Sequence, residues 1–311
     1  MASADGRAQG QLRGVLRERE PMSKHTSWRT GGAARRYYQP ADIDDLAAFL
    51  AQLSADEPIC WIGLGSNLLV RDGGLPGTVI CTNGVLGEMR REQGDTIYVE
   101  AGVPCAKVAR FCAREDLAGA EFLVGIPGTM GGALAMNAGA FGGETWSLVS
   151  EVETIGRDGH RHRRLPEEFR IAYRSVSGVA GEWFASARLA LSRGDGAESL
   201  RRIKELLARR AETQPMGQAS CGSVFRNPPG DYAGRLIEAC GLKGYRIGGA
   251  RISDKHANFI INEGTATAAD IEALIGHAIT TVRREHGVSL VPEVHIVGER
   301  RDSERGEDRD E

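Results

Sequence analysis

Between Glu121 and Glu144 the chain reads F-L-V-G-I-P-G-T-M-G-G-A-L-A-M-N-A-G-A-F-G-G, with seven glycines, one proline and no charged residue. An uncharged run of this length is a membrane span, a buried element, or a loop whose backbone is itself the binding surface. Gly128 and Gly132 have the small-xxx-small spacing of membrane helices. Pro127, Asn137 and the repeated glycines cost too much helix propensity for a span, however. Glycine lets backbone N–H groups approach a ligand, and nests of such groups hold pyrophosphate. The segment is therefore read as a phosphate cradle for a dinucleotide. A second glycine loop, Gly63-Leu64-Gly65-Ser66-Asn67, is not the Rossmann fingerprint, because the position that needs a third glycine is Leu68. Alone it is a tight turn more often than a ligand site. Two separated glycine loops together suit a ligand with two phosphates and two ring systems.

Three further residues could carry chemistry, and each has a plainer explanation. Ser223, in Cys221-Gly222-Ser223-Val224-Phe225-Arg226-Asn227-Pro228, is either a hydroxyl capping a turn or a proton donor on a rigid loop. No G-x-S-x-G elbow surrounds it, which argues against a hydrolase nucleophile. Glu293, after Pro292 in an apolar stretch, is either an edge position facing solvent or a half-buried acid. Arg174, in Tyr173-Arg174-Ser175, is either a surface ion pair or a carboxylate clamp.

Positioning these residues takes more than one core: 311 residues predict two domains. Ile59–Ile62, Thr78–Cys81 and Thr96–Ala101 read as strands. Pro104 through Asp116 reads as a helix with proline in its first turn, and Asp158-Gly159 as a hairpin turn. Composition shifts near residue 195. Asp195–Gln214 then forms a charged amphipathic helix with Leu200, Ile203, Leu206 and Leu207 on its apolar side. Beyond it lie a tight loop at Cys221–Pro229, a helix at Asp231–Cys240, and strands at Tyr245–Ile252 and Asn258–Asn262. A long helix from Ala268 to His286 starts at a Thr267/Asp270 capping box and stops at Gly287. A last strand spans Leu290–Val297. Residues 1–20 and the charged tail 299–311 are expected to be disordered. The domains are placed at 21–195 and 196–298, and the class is α+β.

Composition narrows the function. Glycine is 41 of 311 residues, about 13% against a typical ~7%, and clusters in loops rather than repeating. A net charge of −3 gives no footprint for nucleic acid. The opening Met-Ala-Ser-Ala-Asp has no apolar export segment, so a cytoplasmic protein without membrane insertion is expected. Six cysteines without C-x-x-C spacing read as reduced, mostly buried thiols, and the seven histidines form no metal-ligand set.

Taken in order, Trp28-Arg29-Thr30-Gly31-Gly32, Gly63–Val70, Gly125–Gly143, Tyr173-Arg174-Ser175, Gly222–Pro228 and Pro292-Glu293-Val294 resemble the UDP-N-acetylenolpyruvoylglucosamine reductase (MurB) family from Pro21 to Gly298. The resemblance implies a flavin-binding domain of the vanillyl-alcohol-oxidase (PCMH) type followed by a smaller α+β substrate-binding domain. It implies FAD held by Gly63, Leu64, Gly65, Ser66, Asn67 and Leu68 of one loop and by Gly125, Ile126, Pro127, Gly128, Gly132, Asn137, Gly139 and Ala140 of the other. NADPH would reduce the flavin and leave. The flavin would then pass hydride to the enolpyruvyl ether of a UDP sugar, producing UDP-N-acetylmuramate for peptidoglycan. Arg174 and Glu293 would stabilise the resulting enolate, and Ser223 would protonate it. Tyr173, Asn227, Lys255 and His256 would line the substrate site. Arg174 and Ser223 stand only 49 positions apart, which resembles the family's shorter second type, without its tyrosine-bearing insertion. A monomer or weak oligomer is expected.

Two rivals stand beside this reading. A flavin oxidase on the same binding domain would have no enolate to protonate, so the Ser223/Glu293 pair argues against it. A regulatory nucleotide-binding protein would lose nothing catalytic on Ser223→Ala.

Overall fold

The computed structural model describes residues 12–301. Its first sheet has the strand order Val15–Pro21, Ala33–Gln39, Leu75–Cys81, Ile59–Ile62; the first pair is antiparallel and the other two are parallel. Tyr37 and Tyr38 point to opposite faces, as successive strand residues must, and both are buried. Tyr37 packs with Met22, Val70 and Val79, and Tyr38 with Leu46, Phe49 and Ile80. Apolar cover on both faces is what parallel strands require. The expected disorder before residue 21 is corrected here: residues 15–20 pair with the next strand, while residues 1–11 lie outside the described residues. Alternating charges along V-L-R-E-R-E-P hide the strand from a hydrophobicity reading, since this edge strand is mostly exposed.

The helices are α1 (Ile43–Leu50), α2 (Cys105–Arg114), α3 (Met130–Met136), α4 (Gly196–Thr213), α5 (Ala233–Ala239) and α6 (Ala268–His286). A five-stranded antiparallel sheet, ordered Arg161–Arg164, Val149–Gly156, Glu182–Ala190, Thr96–Glu100, Met89–Arg91, carries α2, α3 and α4 in one core. Its outer hairpin turns at Asp158-Gly159, with Gly159 at φ +79°. Ile203 and Leu206 of α4 are buried in this core. The helix that opens the second unit in the sequence reading thus packs with the first, because its apolar stripe faces α2.

The C-terminal unit builds a three-stranded antiparallel sheet (Arg246–Ile247, Ala250–Ile252, Ile260–Asn262) against α5 and α6. The capping box at Thr267/Asp270 and the left-handed Gly287 bound α6. The two units are stitched together. Trp28 is fully buried among the C-terminal residues, and its Nε1 donates to Ile260 O at 2.8 Å. Strand Leu68–Val70 pairs in parallel with His295–Val297, and Asp72 accepts from the N–H groups of Ala268 and Ala269 at the start of α6. Of the strand expected over Leu290–Val297, only the last three residues are a strand. Glu299, expected in a disordered tail, bridges Gly74, and residues 302–311 lie outside the described residues.

Candidate active site

Both glycine loops open onto one cleft of about 1110 Å³ between the units. The first follows strand Ile59–Ile62 and is pinned from below: Gly65 O accepts from Ser27 N, and a Cβ at Gly65, whose φ is +60°, would stand 2.0 Å from His25 O. The second loop is not loop throughout. Met130–Met136 is a short helix despite Gly131 and Gly132, because tertiary contact overrides propensity. A Cβ at Gly131 would stand 2.9 Å from Ala101 Cβ, so only glycine lets the helix seat. The two loops approach closely, and a Cβ at Gly63 would stand 2.2 Å from Thr129 Oγ1. That hydroxyl is buried, lines the cleft and has no hydrogen-bond partner among the described residues. An unpartnered buried donor between two side-chain-free backbones is a site shaped for oxygen acceptors. A smaller cavity of about 260 Å³ adjoins it and shares the stacked indoles of Trp61 and Trp183. The room and the exposed backbone fit an extended dinucleotide such as FAD.

At the other end of the cleft stand the three candidate chemical residues. Arg174 occupies the tip of a hairpin made by Arg170–Ala172 and Ser175–Ser177, with φ +54°. A left-handed backbone on a residue with a long side chain costs of order 1 kcal/mol. It aims the guanidinium inward: Nη1 and Nη2 donate to the carbonyls of Asn137 (3.3 Å) and Gly139 (2.8 Å), and Nε donates to Glu293 Oε1 at 3.1 Å. Glu293 is held by its own backbone, whose N–H donates to Val224 O and whose carbonyl accepts from Asn67 Nδ2. Burial pushes the Glu293 carboxyl above its ordinary value, with Arg174 and Arg226 pulling the other way. Ser223 immediately precedes Val224, and Phe225 bridges Pro292, so serine and glutamate stand on paired backbone. Asn258 fixes that pair by bonding both the N–H and the carbonyl of Phe225.

All the expected loop residues line the cleft except Asn137, and Tyr173, Asn227, Arg174, Ser223 and Glu293 line it as well. Asn137 is buried, its side chain spent on Glu144, Ala172 and Trp146. Lys255 and His256 do not line it either. Lys255 Nζ donates to Ala211 O near the C-terminus of α4, and His256 packs on Phe259 and Gly234. Sequence reasoning missed Thr129, a lone hydroxyl in an apolar run. It also missed Arg209 and Arg210 in the last turn of α4, where Arg210 continues the helix face of Ile203 and Leu206 and reaches the cleft.

Comparison with known proteins places the chain in a family. Residues 34–164 match the description "FAD binding domain", and residues 214–297 match "UDP-N-acetylenolpyruvoylglucosamine reductase, C-terminal domain". Proteins named UDP-N-acetylenolpyruvoylglucosamine reductase are 63% identical in Alkalilimnicola ehrlichii, over 92% of this chain and 96% of that one, and 62% identical in Methylococcus capsulatus, over 92% and 94%. The crystal structure of the enzyme from Thermus caldophilus aligns with a TM-score of 0.78 at 34% identity, over 92% of this chain and 99% of that one. The architecture is accordingly the flavin-binding domain of the vanillyl-alcohol-oxidase type with a smaller α+β domain behind it, and the chain belongs to the UDP-N-acetylenolpyruvoylglucosamine reductase family.

Proposed function

We propose that this chain reduces the enolpyruvyl ether of UDP-N-acetylglucosamine to the lactyl ether of UDP-N-acetylmuramate, with NADPH as the source of electrons. The observation that carries this is the contact between Arg174 and Glu293, 119 positions apart, on the wall that Ser223 shares. When bound between the glycine loops, FAD supplies hydride transfer. Hydride arriving at the methylene carbon of the enolpyruvyl group leaves negative charge on the neighbouring carbon and its carboxylate. Arg174, held by two backbone carbonyls, offers a positive charge that needs no rearrangement to meet it. Glu293 acts in its protonated form, which its burial favours, and donates a hydrogen bond to the same charge. Ser223 delivers the proton that completes the lactyl ether. Tyr173 and Asn227 contact the substrate. With this reading go a cytoplasmic location and a monomer or weak oligomer.

The test is anaerobic. NADPH should bleach the flavin absorbance, and UDP-N-acetylglucosamine enolpyruvate, but not UDP-N-acetylglucosamine, should restore it. Bleaching reversed by oxygen alone would make the protein an oxidase, and a protein that neither carries flavin on purification nor takes up added FAD would remove the basis of the proposal.

A further inference from the structure

We propose that Asn137 is a positioning residue for Arg174 rather than a ligand of the cofactor; this rests on the role given to Arg174 above. Asn137 ends α3 in the left-handed conformation, φ +46°, which asparagine tolerates better than most residues. Its carboxamide is used up within the protein. Nδ2 donates to Glu144 Oε2 at 2.9 Å and to Ala172 O at 3.2 Å, and Oδ1 accepts from Trp146 N at 3.1 Å. The Trp146 N–H can only donate and the Ala172 carbonyl can only accept, so the orientation of the amide is dictated by its partners. Both amide hydrogens are thereby committed, and none is left for a phosphate.

What the amide joins matters more than what it satisfies. Ala172 is the last strand residue before the hairpin tip that carries Arg174. Glu144 belongs to the hairpin that ends the cradle, whose other strand is Gly139–Ala140. The Asn137 carbonyl receives Arg174 Nη1, and the Gly139 carbonyl two residues on receives Nη2. One buried side chain therefore fixes both the backbone from which the arginine departs and the carbonyls on which its guanidinium lands. Loosening it touches neither the Gly63–Leu68 loop nor the Gly125–Thr129 turn, and it lets the guanidinium leave Glu293.

Two variants test this in the FAD-loaded enzyme. Asn137→Asp is isosteric but sets carboxylate oxygens against the Glu144 carboxylate and the Ala172 carbonyl. Asn137→Gly suits the left-handed backbone and removes only the side chain. Flavin bound per chain and the rate of flavin reduction by NADPH should stay within about twofold of the parent. Reoxidation by the enolpyruvyl substrate should fall on the order of 10²-fold, the usual consequence of a misplaced catalytic group. Adding Glu144→Gln to Asn137→Asp restores a donor–acceptor pair of reversed polarity and should recover roughly tenfold of that loss, the ~1.4 kcal/mol equivalent of one hydrogen bond. If Asn137→Asp does not accumulate folded, Asn137→Gly alone carries the test. Loss of flavin from Asn137→Gly would instead make Asn137 a cofactor ligand, and an equal fall in both half-reactions, or in neither, would also overturn the proposal. Arg174→Lys, measured alongside, separates the two layers. Unchanged reoxidation there means that the role of Arg174 has failed first.

Discussion

A carboxyl buried beside a guanidinium is pulled two ways, and Glu293 shows which pull wins. Desolvation holds its proton on, while Arg174 and Arg226 favour the anion, and the net direction is upward. The catalytic form in the proposed reaction is the protonated one, so reoxidation of the flavin by substrate should fall as pH rises through the Glu293 value. Removing the nearer cation must raise that value further. Arg174→Gln is therefore expected to move the alkaline limb to higher pH while lowering the plateau; a limb that stays put or moves down assigns it to another group. The same sign applies to stability, since a carboxyl raised in the folded state contributes stability at low pH that is lost as pH climbs through its folded value. Ser223→Ala should leave reduction by NADPH within about twofold and slow reoxidation by about 10²–10⁴, the range of one general acid. Equal losses in both half-reactions would refute the proton-donor role. These residues were legible as types in the sequence, a serine in a tight loop and a glutamate behind a proline, but not as partners. Nothing in the sequence near Arg174 points to a position 119 residues away, because a left-handed hairpin tip aims the side chain.

At the scale of elements, periodicity and capping located what stands on local physics. Helix α6 begins at its capping box and ends at its glycine, and α4 begins at Asp195, whose side chain accepts from the first turn. Elements that owe their form to neighbours escaped. The edge strand Val15–Pro21 is specified by its partner, and α3 forms in a glycine-rich run because Ala101 and Val103 accept from its first N–H groups. Helix α4 shows how an element brings unannounced chemistry with it. Its stripe of Ile203 and Leu206 fixes its rotation, which turns Arg210 into the cleft. Arg210 Nε donates to Gln214, burial lowers its pKa, and no carboxylate within the described residues pairs with it. A half-desolvated guanidinium without a counter-ion is poised for an anionic ligand. Arg210→Gln should weaken the nucleotide's apparent affinity by roughly 10–100-fold, the ~1.5–3 kcal/mol of a charge-assisted bond, with a smaller change in the limiting rate. An unchanged KM for both NADPH and the enolpyruvyl substrate would show that the arginine serves only the helix end.

The whole molecule poses a question that neither unit answers alone, since the cleft takes its glycine loops from one unit and Ser223 and Glu293 from the other. Domains joined by small polar interfaces move relative to one another by default. Here the joint is a core contact. Trp28 is fully enclosed by the C-terminal cluster, Asn262 Nδ2 donates to its carbonyl, and the strands Leu68–Val70 and His295–Val297 share a ladder across the boundary. At the rim, Arg71 clamps Glu272 of α6 in a bidentate pair at 2.9 and 3.0 Å. That hydrogen-bonded pair holds the Glu272 carboxyl below its ordinary value, so its contribution is present at neutral pH and is lost as pH falls through the folded value. Joined through buried side chains, the two units should unfold as one. In a urea titration at neutral pH, flavin release, the near-ultraviolet signal and the far-ultraviolet signal are expected to share one midpoint. Trp28→Ala should cost about 3–5 kcal/mol and split the transition, with substrate-driven reoxidation failing at lower urea than flavin binding. Separate midpoints in the unmodified protein would mean that the cleft is held by its ligands and not by the fold. A Trp28→Ala protein that still unfolds in one step would transfer the coupling to the shared ladder and the α6 clamp.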